Sequence, residues 1–557
     1  MAASLATREE LFPERLVASP CSFSSPGFSL SAADDYLVSI LNARVYDVAR
    51  ETPLDFAATL SQRLGHRLFY KREDLQDIKS FKIRGAYNKM SALSRAELDK
   101  GVICASAGNH AQGVALSAAK LGANATIVMP TTTPAIKIAA VRQRGGARVT
   151  VVLHGASFDE ASAHARALAS AGAGATFVHP YDDPAVIAGQ GTVGVEILRQ
   201  HTGALDAVFC CVGGGGLLAG VAAYIKRLRP GTLVFGVEAS DSDAMAQSLQ
   251  RGSRVTLDAV GLFADGAAVK TVGAECFRLA QTFASGVILV SNDEICAAIK
   301  DVFEDTRSIL EPAGALAVAG AKVWLAAQSR GSGGSGSAAT TPPLTAVAIA
   351  SGANCNFDRL RFIAERAHTG EAREALFAAA IAEAPGSFRL FLGALEGRSV
   401  TEFNYRYANS AVAHVFCGVS VAGREEASAL AAQLCARGTP TIDLTDNELA
   451  KTHVRYMVGG RGSPGALENE RVYRFIFPER PGALAQFLER LAPGGFNISM
   501  FHYRNHGSDF GRVIVGLQVP GEQAGAFEDF LGALKTSGYD AIEETDNPAY
   551  ALFLGAL

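Results

Sequence analysis

The sequence predicts a three-layer α/β domain built on a mostly parallel sheet over residues 31–370, then a duplicated α+β region over 383–460 and 470–557. Three observations carry that prediction. Between residues 80 and 330, short apolar runs alternate with helical periodicity, the rhythm of a parallel sheet with helices on its faces. Four consecutive glycines, Gly213–Gly216, follow one apolar run and open a helix. In the last part of the chain, three short segments recur in the same order at offsets of 96, 98 and 100 residues.

Length and composition bound the rest. At 557 residues the chain is too long for one domain and fits roughly three or four. A net charge of −4, with Lys and Arg spread along the chain, argues against nucleic-acid binding. The nine cysteines are scattered, with no C-x-x-C and no Cys/His pair at zinc spacing. No metal site and no disulfide is therefore expected, which points to a reducing compartment such as the cytoplasm. No apolar run reaches the roughly 18 residues of a membrane span. Residues 1–30 are expected to be disordered, and Glu9, Glu10 and Glu14 argue against a transit peptide, a class poor in acids.

Taken in order, Asp34 and Asp35 are placed to cap a helix through Leu37, Ile40 and Leu41. Leu68-Phe69-Tyr70 reads as a strand running into a polar loop. Ser80 is a good N-cap, and Ile83, Ala86, Tyr87 and Met90 follow at helical spacing, which puts Lys82 in the first turn. Strands at 102–105, 125–130 and 149–153 are separated by helices, as are those at 207–212 and 233–238. The Gly/Ser-rich stretch 330–343 is a flexible surface insertion before the last strand of the same sheet, 345–350.

The tail repeats itself. Pro385-Gly386 matches Pro481-Gly482, Phe403–Arg406 matches Phe501–Arg504, and Thr445–Asn447 matches Thr545–Asn547. Each copy reads strand, helix, strand, strand, helix, strand, a ferredoxin-like split βαβ pattern.

Ligands of open α/β sheets gather beyond the carboxyl ends of the strands. A cation at Lys82 faces the positive end of its helix dipole, which disfavours the ammonium form and leaves an amine able to form a Schiff base. The plain alternative is a surface lysine on an amphipathic helix. Gly213–Gly216 can turn successive N–H groups toward a phosphate at a helix N-terminus; it has neither Walker nor dinucleotide-binding spacing. The alternative there is a tight glycine turn. The loop Ser106-Ala107-Gly108-Asn109-His110 can hold a carboxylate on its N–H groups and an aromatic hydroxyl on Asn109, or Ser106 or Asn109 simply caps the helix. Ser351 offers a neutral hydroxyl, or only a Ser-Gly turn. A lysine nucleophile, a phosphate cradle, a carboxylate loop and a neutral hydroxyl together describe a site for pyridoxal 5'-phosphate.

These motifs carry a resemblance. Residues 31–370 resemble the fold-type II pyridoxal-phosphate enzymes, the tryptophan-synthase-β-like group. Ser80–Tyr87, Ser106–Gly113, Gly213–Leu217 and Glu311–Ala315 are similar to the motifs of threonine dehydratases (threonine deaminases). Gly397–Arg406 and His453–Gly460 resemble the tandem ACT-like regulatory region of the biosynthetic branch. The resemblance implies that Lys82 carries the cofactor, with Phe81 beside it. It implies that Asn109 bonds the ring hydroxyl, that Gly213, Gly214, Gly215, Gly216 and Leu217 hold the phosphate, and that Ser351 faces the pyridine nitrogen. Ser106, Ala107, Gly108 and His110 are then the substrate-carboxylate loop.

The implied activity is dehydration and deamination of L-threonine, and of L-serine, by a homotetramer at the committed step of isoleucine biosynthesis. Isoleucine is the implied inhibitor and valine its antagonist. Tyr405, Arg455, Tyr503 and Arg504 are the implied effector residues, unless the tyrosines are core aromatics with a polar tip. Three other readings compete with it. Racemases of this fold have a serine where this chain has Ala107, and alanine donates no proton. Catabolic dehydratases usually lack the double tail. An inactive amino-acid sensor does not require an intact Lys82, Asn109 and glycine loop.

Overall fold

The structure is a computed structural model that describes residues 15–20, 35–171, 174–330, 342–382, 387–396, 398, 400–405, 412–456, 469–478, 496–504 and 510–554. Its two compact units divide between Asn356 and Phe357.

The first unit holds two sheets rather than the single one that the alternation suggested. The larger contains β1 (Leu16–Ala18), β2 (Leu54–Phe56), β3 (Arg67–Lys71), β8 (Ala207–Cys211), β9 (Leu233–Ala239), β10 (Gly286–Val290) and β11 (Thr345–Ile349), in the order β1-β10-β9-β8-β11-β3-β2. Its five central strands run parallel, and β1 and β2 are antiparallel edges. The smaller is wholly parallel and contains β4 (Val102–Ala105), β5 (Ala125–Met129), β6 (Val149–Leu153) and β7 (Thr176–Phe177), in the order β6-β5-β4-β7. Apolar alternation reports that a segment is a strand but not which strand it pairs with, so one run of strands became two sheets. Strand β1 also falls in the stretch expected to be disordered; Leu16 to Ala18 pair with Ile288 to Gly286.

The helix Lys82–Ser91 packs against both the Asn109–Leu121 helix of the small sheet and the Pro184–Gln200 helix of the large one. The second contact is close because Gly85 faces Gly189: a Cβ on Gly189 would sit 2.7 Å from the Gly85 Cα. Below this crossing lies a closed charge cluster. Arg84, Lys71, Glu73 and Glu196 have no exposed side-chain surface. Burial alone would pull the Arg84 guanidinium down, but the Glu73 and Glu196 carboxylates hold it above its ordinary value.

The second unit contains the duplication. β12 (Glu374–Ala382), β13 (Val400–Tyr405), β14 (Val412–Ser420) and β15 (Thr441–Asp443) form an antiparallel sheet in the order β13-β14-β12-β15. β16 (Glu470–Pro478), β17 (Asn497–Arg504), β18 (Phe510–Gln518) and β19 (Asp540–Glu543) repeat that order as β17-β18-β16-β19. Helices Ser387–Ala394 and Arg424–Ala436 complete the first copy, and Ala524–Thr536 serves the second. The segment after Pro481-Gly482, expected to be the second copy's first helix, lies outside the described residues. The two copies share a core in which Leu376, Phe416 and Leu449 of the first meet Val472, Ile514 and Tyr550 of the second. The equivalent Asn447 and Asn547 bond side chain to side chain at 3.2 Å.

Candidate active site

Lys82 is the first residue of its helix, and the N-cap is Phe81, one residue later than expected. Ser80 does not cap it in the ordinary way. It is fully buried, bridged to Gly352, with its hydroxyl 3.4 Å from the Lys82 N–H. The Lys82 amine donates to the Pro180 carbonyl at 2.8 Å and keeps partial exposure. Its pKa lies below the ordinary lysine value because burial penalises the ammonium form. Desolvation thus makes this lysine unusual, where the sequence argument invoked the helix dipole.

The Pro180–Tyr181 segment ties Lys82 to the glycine loop. A Cβ on Gly214 would lie 2.1 Å from the Tyr181 ring, and one on Gly216 2.9 Å from the Tyr181 carbonyl. Gly215 has φ +99° and is the N-cap of the Gly216–Leu228 helix. These glycines therefore let the loop lie flat on protein neighbours and aim its amides outward. Among the described residues, no backbone N–H from Gly213 to Leu218 has a protein acceptor. A consecutive set of unclaimed donors at a helix N-terminus suits a phosphate, and on that ground the residues fit pyridoxal phosphate.

The second loop behaves alike. Gly108, not Ser106 or Asn109, is the N-cap of the Asn109–Leu121 helix, and no side chain caps it, so the simple capping alternative falls away. The Ser106 hydroxyl accepts from the Gly108 N–H at 3.2 Å. The N–H groups of Ala107, Asn109, His110 and Ala111 have no protein acceptor among the described residues. The His110 imidazole is buried, with Nε2 3.0 Å from the Val178 carbonyl, and burial lowers its pKa to about 3. Its contribution to the loop is its backbone N–H rather than its ring.

Asn109 donates to Glu311 at 2.5 Å and accepts from Asn354 at 2.6 Å. Ser351 follows β11, and its carbonyl accepts from the Phe81 N–H at 3.2 Å. Its hydroxyl is 3.2 Å from the Cys211 thiol at the end of β8, the adjacent strand. Lys82, Phe81, Asn109, Ser351 and the two loops are thus joined through short contacts at the carboxyl ends of β4, β8 and β11. Sequence reasoning assigned no role to Glu311 or to Pro180, Tyr181, Cys211 and Asn354. Only Glu311 carried a signal, as the first residue of the Glu-Pro-Ala-Gly-Ala motif.

The tail candidates are placed by backbone. Tyr405 ends β13 opposite Val415, and Tyr503 lies on β17 opposite Val513, equivalent sites in the two copies. Arg504 pairs in register with Arg512. Arg455 lies 3.4 Å from the Glu374 carboxylate and lines a small cavity with Arg366, Thr369, Lys451 and Tyr456.

Comparison with known proteins completes the picture. Residues 45–338 match the family model "Pyridoxal-phosphate dependent enzyme". Residues 365–454 and 461–554 match that of the C-terminal regulatory domain of threonine dehydratase. A biosynthetic L-threonine dehydratase of Burkholderia multivorans is 57% identical over 94% of this chain and 100% of its own length. The chloroplastic biosynthetic threonine dehydratase of Arabidopsis thaliana is 49% identical over 94% of this chain and 85% of its own. The structure of the processed form of threonine deaminase isoform 2 from Solanum lycopersicum superposes with a TM-score of 0.59 at 48% identity, covering 64% of this chain and 94% of that one. Both halves match together and along nearly the full length of the bacterial relative: the chain belongs to the biosynthetic threonine dehydratases, pyridoxal-phosphate-dependent lyases with a C-terminal regulatory domain.

Proposed function

We propose that Lys82 is the cofactor-bearing residue and general base of L-threonine dehydration to 2-oxobutanoate and ammonia. The observation that carries this is the Lys82 amine, depressed in pKa and beside a loop of unclaimed amides. Bound pyridoxal phosphate supplies an electron sink for charge developing at the substrate Cα. Lys82 holds the cofactor between turnovers. With the substrate amine in that place, the Lys82 Nζ, whose ammonium form burial disfavours, would be the base that lifts the Cα proton. The N–H groups of Gly213 to Leu218 take the phosphate, and those of Ala107, Asn109 and His110 the substrate carboxylate. Asn109, oriented by Glu311 and Asn354, would hold the ring hydroxyl. Ser351 meets the ring nitrogen with a neutral hydroxyl, which does not raise that nitrogen's pKa as a carboxylate would, and so favours loss of the β-hydroxyl over transamination. Ala107 supplies no acid on the opposite face, which favours a lyase over a racemase.

Under the same reading the tail binds isoleucine as inhibitor and valine as antagonist in a homotetramer. Support comes from the equivalent placement of Tyr405 and Tyr503, with Arg504 next to the latter, and from Arg455 beside a cavity. An effector carboxylate there competes with Glu374 for Arg455. None of the eight cysteines among the described residues forms a disulfide, and no described helix is long and apolar enough to cross a membrane.

The test is Lys82→Ala. The variant is expected to fold and to lose dehydration, and borohydride reduction of the wild-type holoenzyme is expected to place the cofactor label on the peptide that contains Lys82. Turnover above a tenth of wild type would remove Lys82 from both roles.

A further inference from the structure

We infer that Cys211 is a positioning residue whose thiol orients the Ser351 hydroxyl, leaving the Ser351 proton to be donated into the cofactor site. The inference rests on the reading of Ser351 given above.

Cys211 is the last residue of β8, and Ser351 lies just beyond the parallel neighbour β11. Both are nearly buried, at 8% and 3% exposure. The Ser351 backbone is pinned on both sides, with its N–H on the Gly314 carbonyl at 3.2 Å and its carbonyl on the Phe81 N–H at 3.2 Å. Its main remaining freedom is the hydroxyl rotor.

A serine hydroxyl has one proton to give and two lone pairs to offer. The Cys211 Sγ is the donor to Ser351 Oγ at 3.2 Å, which occupies one lone pair. Burial raises the Cys211 pKa, so the sulfur stays protonated and keeps its donor role. The Ser351 proton cannot then point back at Cys211. Its only acceptor among the described residues is the Ala313 carbonyl at 3.4 Å, well beyond the roughly 2.5–3.0 Å of a good O–H···O bond. A weakly held proton on a hydroxyl with a fixed oxygen is free to turn to a better acceptor, such as a pyridine nitrogen. An aliphatic side chain at 211 fills the same space but leaves the rotor unbiased.

Three substitutions separate donation from packing. Cys211→Ser keeps a donor in a smaller side chain, Cys211→Val keeps bulk without a donor, and Cys211→Ala removes both. Ser351→Ala is the reference. The readout is the equilibrium dissociation constant of pyridoxal phosphate from each apoenzyme, by fluorescence titration, with thermal unfolding of the same samples to show that each is folded. Cys211→Ser is expected within about twofold of wild type, and Cys211→Val and Cys211→Ala about three- to tenfold weaker, the scale of one modest hydrogen bond. Wild-type affinity in Cys211→Val with weakening in Cys211→Ser would make the role one of packing and overturn the inference. Equal affinity across the Cys211 series with weakening only in Ser351→Ala would overturn it while leaving Ser351 at the ring nitrogen. No weakening in Ser351→Ala would remove Ser351 from the cofactor and the inference with it.

Discussion

The guanidinium of Arg84 meets the carboxylate of Glu196 at 2.6 Å, and neither side chain has any exposed surface. All five Arg84 N–H donors are used: Nε and Nη2 on Glu73, Nη1 on Glu196 and Thr192, and Nη2 again on the Arg50 carbonyl. At 3.6 residues per turn, Arg84 projects on nearly the opposite side of its helix from Lys82. Anchoring Arg84 in the body of the unit therefore fixes the rotation of the helix and keeps Lys82 turned toward the site.

Removing that anchor is expected to be costly. Arg84→Met leaves two buried carboxylates with Lys71 alone, which should lower stability by about 3–5 kcal/mol. Arg84→Lys keeps the charge but loses the fork and should fall between the two. Urea unfolding of the three proteins measures it, and a loss below about 1 kcal/mol in Arg84→Met would mean that the cluster is not a tight buried one.

Acid sensitivity should trace in part to His110. Its folded pKa is about 3 against an ordinary 6.5. Between those values the unfolded chain takes up a proton that the folded chain refuses. The stability tied to the neutral ring is complete above pH 6.5 and is lost as pH falls through the window toward 3. The slope is about 1.4 kcal/mol per pH unit. His110→Asn keeps a donor for the Val178 carbonyl without a titrating ring. The difference between wild-type and variant unfolding free energies should shrink steadily from pH 6.5 to pH 4. A constant difference would mean that His110 protonates in the folded state near its ordinary pKa.

What the sequence made legible and what it hid divide along physical lines. The helix start at Lys82, the glycine run, the loop before Asn109 and the end of the strand before Ser351 were legible as local features because periodicity breaks there and residue type is constrained by the turn. The duplication was visible because three segments kept their order, and the strand orders of the two copies agree with it. The partition into two sheets was hidden, since pairing is decided by packing among helices far apart in sequence. Equally hidden were Pro180 and Tyr181, which act through a backbone carbonyl and a ring resting on glycine. Cys211 looked like one more apolar residue of a buried strand, and its thiol matters only because Ser351 arrives from 140 residues away. The depressed pKa of Lys82 was anticipated for an incomplete reason, because burial cannot be read from a pattern.

β12 pairs along its whole length with β14 and on its other edge with β15, and Ala375 to Ala379 are buried. A truncation at residue 383 would strip both neighbours from this strand and leave an apolar edge prone to aggregation. Cutting after Asn356 removes the second unit entire. The 1–356 protein is therefore expected to turn over threonine without response to isoleucine. In the full chain, Tyr503→Leu and Arg504→His should raise the isoleucine concentration needed for half inhibition while keeping uninhibited turnover within a few-fold. An effector can shift activity only by its differential affinity for the two states, typically about 1–3 kcal/mol. The coupling limits the depth of inhibition, whereas the point variants should act on the isoleucine midpoint. Isoleucine titrations of the three proteins, with and without valine, measure this. An active 1–356 protein still inhibited at the wild-type concentration would place the regulatory site in the first unit and remove the tail from effector binding.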